Sequence, residues 1–288
     1  MIQALSGQLL VGLINGSFYA LLSLGLAIIF GLLDVVNFAH GAQYMLGAFV
    51  AWMAMQYLGI NYWSALILVP LAVGVLGMVF EQLVLRRLYG LDPLYGLLLT
   101  FGLALVLEGI FQNAFGISGK SYPVPDLLQG GTNLGFMFLP RYRMWVVVVS
   151  IAVCFGCWFM IERTRLGAYL RAGTENPVLL QAFGVNVPLI RALTYGFGVA
   201  LAAFAGVMAA PIYQVTPLMG SGVIMVVFAV VVIGGMGSIA GSIITGLGLG
   251  LIEGLTKFFY APASDVVVFV VMALVLLARP AGLFGRQL

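Results

Sequence analysis

Three combinations of residues in the sequence could do chemistry. His40 is the single histidine, and Ser238 sits in a glycine-rich run. Together they would suggest a nucleophilic dyad of an intramembrane protease. Ser238 follows Gly237 directly and precedes Ile239, which departs from the G-x-S-G pattern. A serine nucleophile also needs a base in reach and a group that orients the base. Cys154 and Cys157 form C-x-x-C, but within an uncharged apolar run, where thiols act as small packing residues and not as low-pKa thiolates. Residues 114–121, Ala-Phe-Gly-Ile-Ser-Gly-Lys-Ser, come close to the phosphate loop G-x-x-x-x-G-K-[ST]. That loop needs a strand before it and a helix after it. Here Tyr122-Pro123-Val124-Pro125 follows, and prolines there cannot start a helix in register. No catalytic or metal-ligating constellation emerges, and the chain is read as a non-enzyme.

The elements that position these residues are membrane helices. Of the 288 residues, 63% are hydrophobic and 7% charged, against about 45–50% and about 25% in soluble domains. The 12 Lys and Arg and 9 Asp and Glu cannot wet the surface of a globule this size. A soluble enzyme, a nucleic-acid binder and a disordered linker are excluded, and a net charge of +3 leaves no nucleic-acid footprint. The expected fold is an all-α integral membrane protein. It has about eight transmembrane helices, including a Gly-rich broken or re-entrant segment, in a single transmembrane domain over residues 1–288. A span needs about 20 apolar residues, and the sequence offers them near 9–32, 35–58, 63–85, 94–115, 144–161, 192–212 and 266–277. The first stretch lacks a basic leader and a cleavage site and is read as a retained span.

Cations cluster at Arg86/Arg87, at Arg163, Arg165 and Arg171, and at Arg279 and Arg286. Basic loops stay cytoplasmic. One side suits all three clusters if residues 222–252 cross an even number of times, as a hairpin of two half-length helices joined at Gly234–Ser238. This places the N-terminus and the loop 116–143 outside, although Lys120, Arg141 and Arg143 lie in that loop.

Two stretches interrupt apolar runs with small and polar residues: Asn37-Phe38-Ala39-His40-Gly41-Ala42 and Gly237-Ser238-Ile239-Ala240-Gly241-Ser242. Paired interruptions mark inverted repeats and a site at their interface; chance similarity between short Gly-rich stretches explains the match equally well. Gly246, Gly250 and Gly254 fall at four-residue spacing, a flat face that favours close helix packing over pore lining. Asp34 and Glu253 read as interfacial. Glu108, about 20 Å into its span, reads as a carboxylate with a structural partner. His40 is either a hydrogen-bonded interhelical residue or a lining residue of a hydrated path.

Residues 162–190 form the most informative loop. Thr174 or Asn176 can cap a short helix with Pro177 in its first turn, and Gly184 can end it. Val178, Leu179, Ala182 and Phe183 would then be exposed apolar residues, the mark of a partner site, unless the helix lies on the membrane.

At this point the chain resembles the permease subunits of bacterial ABC importers, of the LivH type that serve branched-chain amino acids. The likeness is carried by Val36-Asn37-Phe38-Ala39-His40-Gly41 with Tyr44 and Gly47. It continues in Thr164-Arg165-Leu166-Gly167, Leu170-Arg171-Ala172, Asn176 and Phe183-Gly184-Val185-Asn186, then in the small-residue run 200–206. It ends in Ile233-Gly234-Gly235-Met236-Gly237-Ser238 with Gly241, Gly246 and Gly250. Residues 176–180 depart from the more polar helix expected there. The resemblance implies an inner-membrane, multi-pass subunit paired with a second permease of the LivM type. Two cytosolic ATPases would dock beneath, and a periplasmic binding protein would deliver substrate. It implies no cofactor in this chain, since ATP and Mg belong to the ATPases. It further implies that Arg165, Gly167, Arg171, Glu175, Asn176, Phe183 and Gly184 form or hold the ATPase-coupling element.

The expected path residues are Asn15, Asn37, His40, Gly41, Gln43, Tyr44, Gly234, Gly235, Gly237, Ser238 and Gly241. A zwitterion loses costly solvation in hydrocarbon, and backbone groups freed at helix breaks replace part of it. The competing reading is a self-contained channel or carrier for a small neutral solute such as urea or an amide, which has no use for a docking helix.

Overall fold

Lipid offers a backbone N–H or C=O no hydrogen-bond partner, so uncharged apolar runs satisfy themselves as helices. The structure is a computed structural model describing residues 2–133, 135, 137–175 and 177–285, with the side chains of Leu166, Thr174, Glu175, Pro177 and Val178 outside the description. Among these residues the order is α1 (Ile2–Leu33), α2 (His40–Leu58), α3 (Tyr62–Leu83), α4 (Pro93–Phe115), β1 (Gly131–Asn133) and β2 (Phe138–Pro140). Then come α5 (Arg141–Arg163), α6 (Arg165–Glu175), α7 (Pro177–Ala182), α8 (Val187–Ala209), α9 (Ser221–Gly234), α10 (Ile239–Phe259) and α11 (Ser264–Ala278).

Polar residues set the starts. Asn61 accepts from the Ser64 amide, Asp92 from Leu94, Asn186 from Leu189 and Ser238 from Gly241, each at a helix N-cap. Among the described residues, seven helices are long and apolar enough to cross a membrane: α1, α3 with its continuation to Leu88, α4, α5, α8, α10, and α11 with the turn before it. At 32 residues, α1 is about 48 Å long. The chain is a multi-pass membrane protein. The second expected span, 35–58, is helical only from His40. With His40, Gln43 and Tyr44 buried in it, α2 is less apolar than the seven. It packs against α3, α4 and α8, which shield it.

One expectation needs correcting. Residues 222–252 are not two half-length helices: α9 is short, at 14 residues, but α10 runs 21 residues. Glu253 lies before the last turns of α10, which runs to Phe259, and its carboxylate accepts from Tyr19 and Asn15.

The chain divides into two compact units. The first comprises Met1–Leu24, Pro123–Gly156 and Met225–Leu288; the second comprises Gly25–Tyr122 and Cys157–Ile224. In the first, the early turns of α1 lie flat against α10. A Cβ at Gly246 would stand 2.6 Å from Ala20 Cα, and one at Gly16 would stand 3.0 Å from Leu247 O. The evenly spaced glycines 246, 250 and 254 therefore do the packing the sequence favoured, facing Ala20, Gly16, Gly12 and Gln8. Ala229, Val230, Ile233, Leu249 and Val268 close a small core between α9, α10 and α11. β1 and β2 pair antiparallel in the loop before α5.

In the second unit α8 is the hub, packed along α3 and α2. Small residues allow it: a Cβ at Gly196 would stand 2.8 Å from Gly74 O, and one at Gly25 2.8 Å from Gly198 O. The outer faces of α3 and α4 stay apolar and uncovered, with Ile67, Leu71, Leu98 and Leu105 all more than half exposed. Surfaces like these are stable only against lipid.

Candidate functional site

Both sequence interruptions are true helix breaks. In the second unit, residues 34–39 separate α1 from α2. Asp34 ends α1 in the left-handed region, at φ 55°, and its N–H still donates to Phe30 O. The Asn37 amide donates to Gln43 Oε1 at 3.0 Å, and the Gln43 amide donates to the Tyr195 hydroxyl at 3.1 Å. All three side chains are buried, and Asn37 Oδ1 has a lone pair with no hydrogen-bond partner among the described residues. From α4, Thr100 accepts from the Phe38 N–H and donates its hydroxyl toward Val36 O, each at 3.1 Å. His40 is fully buried, its ring against the bare Cα of Gly25. Gly41 lies against Gly220, where a Cβ would meet Gly220 O at 2.6 Å, and Tyr44 is buried against Gly206.

In the first unit, Gly235 and Gly237 break the chain between α9 and α10 with φ of 98° and 86°, conformations that only glycine adopts without strain. Gly234 and Gly241 pack backbone to backbone, and Ser238 Oγ accepts from Gly241 N–H at 3.1 Å. The carbonyls left open where α9 stops are capped by the polypeptide itself. Leu283 N–H donates to Ile233 O at 2.8 Å and Phe284 N–H to Gly234 O at 3.2 Å. Asn15 lies in this unit, donating to Glu253 Oε1 at 3.5 Å beside the 2.8 Å bond from Tyr19 Oη to Glu253 Oε2. Glu253 is thus a partnered carboxylate, and Glu108 has a hydrogen-bond partner in Ser221.

The first break thus gathers Asn37, His40, Gly41, Gln43 and Tyr44, and the second gathers Gly234, Gly235, Gly237, Ser238 and Gly241. Sequence reasoning missed Thr100 and Tyr195, polar residues inside apolar spans. It also missed Glu81, which is 1% exposed and accepts from Tyr89 Oη at 2.8 Å. Its signal was available: an intramembrane carboxylate marks function by default. Such amides, hydroxyls and backbone groups can donate and accept hydrogen bonds. Among the described residues no cluster of three or more His, Cys, Asp or Glu could hold a metal.

The loop after α5 folds into two helices where the sequence suggested one. Arg171 on α6 reaches back to α5, donating to Ile161 O at 2.8 Å and pairing with Glu162 at 3.6 Å. Gly167 permits this fold-back, because a Cβ there would collide with Ile161 O. α7 ends where expected, with Gly184 at φ 80° and its N–H donating to Gln181 O at 2.9 Å. Leu179 and Phe183 are exposed, Phe183 by 77%. Arg165 opens α6. Asn176 and Arg286 lie outside the described residues, as does the Glu175 side chain.

The two look-alike motifs resolve plainly. Lys120 pairs its backbone with Val215 in an isolated bridge, and residues 121–125 directly after it are not helical, so no phosphate loop forms. Cys154 and Cys157 are buried and form no disulfide with each other.

Residues 8–276 match the family model described as "Branched-chain amino acid transport system / permease component". The chain is 34% identical to the high-affinity branched-chain amino acid transport system permease protein BraD of Pseudomonas aeruginosa, over 97% of this chain and 95% of that protein. It is 30% identical to the corresponding permease protein LivH of Escherichia coli K12, again over 97% and 95%. It is 26% identical to the permease protein LivM of E. coli K12, over 92% of this chain and 67% of that one. No solved structure matches.

Proposed function

The chain belongs to the family of permease components of branched-chain amino acid transport systems, and from that premise we propose that it forms half of an ATP-driven import path for branched-chain or similar small amino acids. It lies in the bacterial inner membrane. A LivM-type permease supplies the other half, two cytosolic ATPases bind and hydrolyse ATP–Mg, and a periplasmic binding protein delivers the substrate.

The observation that best supports this over a self-contained channel is the α6–α7 segment. It is tied to α5 through Arg171 yet presents Leu179 and Phe183 uncovered. A channel has no use for an apolar docking face on such a mount. Within the path, Asn37, His40, Gln43 and Tyr44 at one break and Gly234–Gly241 at the other offer a weak, transient set of hydrogen bonds, and the binding protein sets specificity. Arg165, Gly167, Arg171, Glu175, Asn176, Phe183 and Gly184 form or hold the coupling element.

The test is a gentle-detergent pull-down of the tagged chain from its own membranes, with mass spectrometry of what accompanies it. Co-purifying ATPases and a second permease are expected. A chain that purifies alone and passes solute in liposomes without ATP overturns the reading. Tight leucine binding by the isolated permease overturns the weak-path part.

A further inference from the structure

The second unit contains a set of partly buried polar contacts around the start of α8, joined through one aromatic contact to the first helix break. Its centre is Glu81, near the end of α3. The carboxylate is 1% exposed, one oxygen accepts from Tyr89 Oη at 2.8 Å, and Oε2 has no hydrogen-bond partner among the described residues. A carboxyl group this deep, ionised or neutral, depends strongly on the hydrogen-bond partners it keeps. Tyr89 is in turn covered by the Arg191 guanidinium, 4.9 Å from the ring centroid. Arg191 is in the first turns of α8, close behind the Asn186 cap and Phe183. Burial first, and the Glu81 charge second, push the Tyr89 phenol well above its ordinary value, so it remains a donor throughout the physiological range. On the other side, Phe80 packs its ring 6.1 Å from that of Tyr195, whose hydroxyl accepts from Gln43, which accepts from Asn37.

We infer that Glu81 and Tyr89 are positioning residues for coupling: the contact Arg191–Tyr89–Glu81 passes displacement of α6–α7 to the α3–α8 pair and so to the Asn37 break. This rests on the docking role proposed above. A shift of the α8 start moves the guanidinium that covers Tyr89, and with it the donor that Glu81 needs. A coupling element requires a contact that can be made and broken, and this one hangs on a single cation–π contact and a single hydrogen bond. The chain is direct: 191 follows the docking segment in sequence, 89 follows the 3₁₀ turn at the end of α3, and 81 lies inside α3.

The test uses the assembled importer with its binding protein in proteoliposomes. Glu81→Gln keeps the shape and removes the charge; Tyr89→Phe keeps the ring under Arg191 and removes the donor. Leucine taken up per ATP hydrolysed should fall at least about fivefold in each, with complex yield and hydrolysis rate held within about twofold. The double variant should be no worse than the poorer single one, since both break one contact. An unchanged ratio in both variants overturns the inference, and so does a parallel loss of yield, hydrolysis and uptake, which would mean a purely structural role. A wild-type chain that recruits no ATPase or shows no ATP-driven uptake fails the functional reading itself, and the relay with it. A working wild type with unaffected variants fails the relay alone.

Discussion

Replacing Gly246 by alanine tests the α1–α10 seam, with Gly248→Ala on the same helix as its control. The Cβ added at Gly246 would stand 2.6 Å from both Cα and N of Ala20, atoms that cannot rotate away, whereas nothing lies within 4 Å of a Cβ at Gly248. Carbon atoms rest about 3.5–4.0 Å apart, so α1 and α10 must separate locally by about 1 Å. Overpacking of this kind costs about 1–3 kcal/mol. The same separation stretches the 2.8 Å bond from Tyr19 to Glu253 beyond hydrogen-bond reach. Losing a bond to a charged group adds about 1.5–3 kcal/mol. Gly248→Ala should be neutral, or stabilising by up to about 1 kcal/mol through helix propensity. Heating both variants in detergent and following the monodisperse fraction gives the comparison. Gly246→Ala is expected to lose it at clearly lower temperature. Equal midpoints for the two variants would refute the close-packed seam.

Other expectations follow from single residues. Arg171→Glu places like charge beside Glu162 and removes the donor to Ile161 O. Membrane insertion should be normal, while co-purifying ATPase and uptake fall; unchanged uptake counts against the coupling assignment. Phe183→Asp, at a side chain 77% exposed, should leave thermal stability within about 0.5 kcal/mol and yet abolish ATPase co-purification. Tyr122 is buried with a hydroxyl that has no partner among the described residues, so Tyr122→Phe should be neutral or stabilising on heating. Burial pushes that phenol from 10.0 up to about 12. The stability tied to its neutral form is full below pH 10 and lost as pH rises toward about 12; absorbance titration of wild type against Tyr122→Phe reads this directly, and a tyrosine ionising near 10 would contradict it.

Much of the architecture was legible because lipid makes a demand that sequence answers locally. A charge-free run becomes a helix, and residues such as Asn37 and Gly235 break it visibly. What stayed hidden depends on partners far along the chain. Glu253 reads as interfacial, and nothing local reveals that its hydrogen-bond donor is Tyr19, 234 residues away. Gln43 was singled out as polar; its partner Tyr195, 152 residues on, looks like one more aromatic in an apolar span. Thr100 is equally inconspicuous, since a lone threonine is common in such helices and only the fold sets it against Phe38. The second docking helix was missed for a related reason. Gly167 marks a fold-back only once Ile161 O is known to lie opposite it.

The capping of Ile233 and Gly234 carbonyls by the Leu283 and Phe284 amides also sets a timetable. A ribosome adds about 5–20 residues per second, so the amides that close this break are made roughly 3–10 s after the carbonyls they serve. Through that interval α9 has a raw end, and α10 and α11 enter the bilayer before it is sealed. A ribosome that stalls within α11 therefore leaves behind a protein whose spans are present and whose break has never been shut.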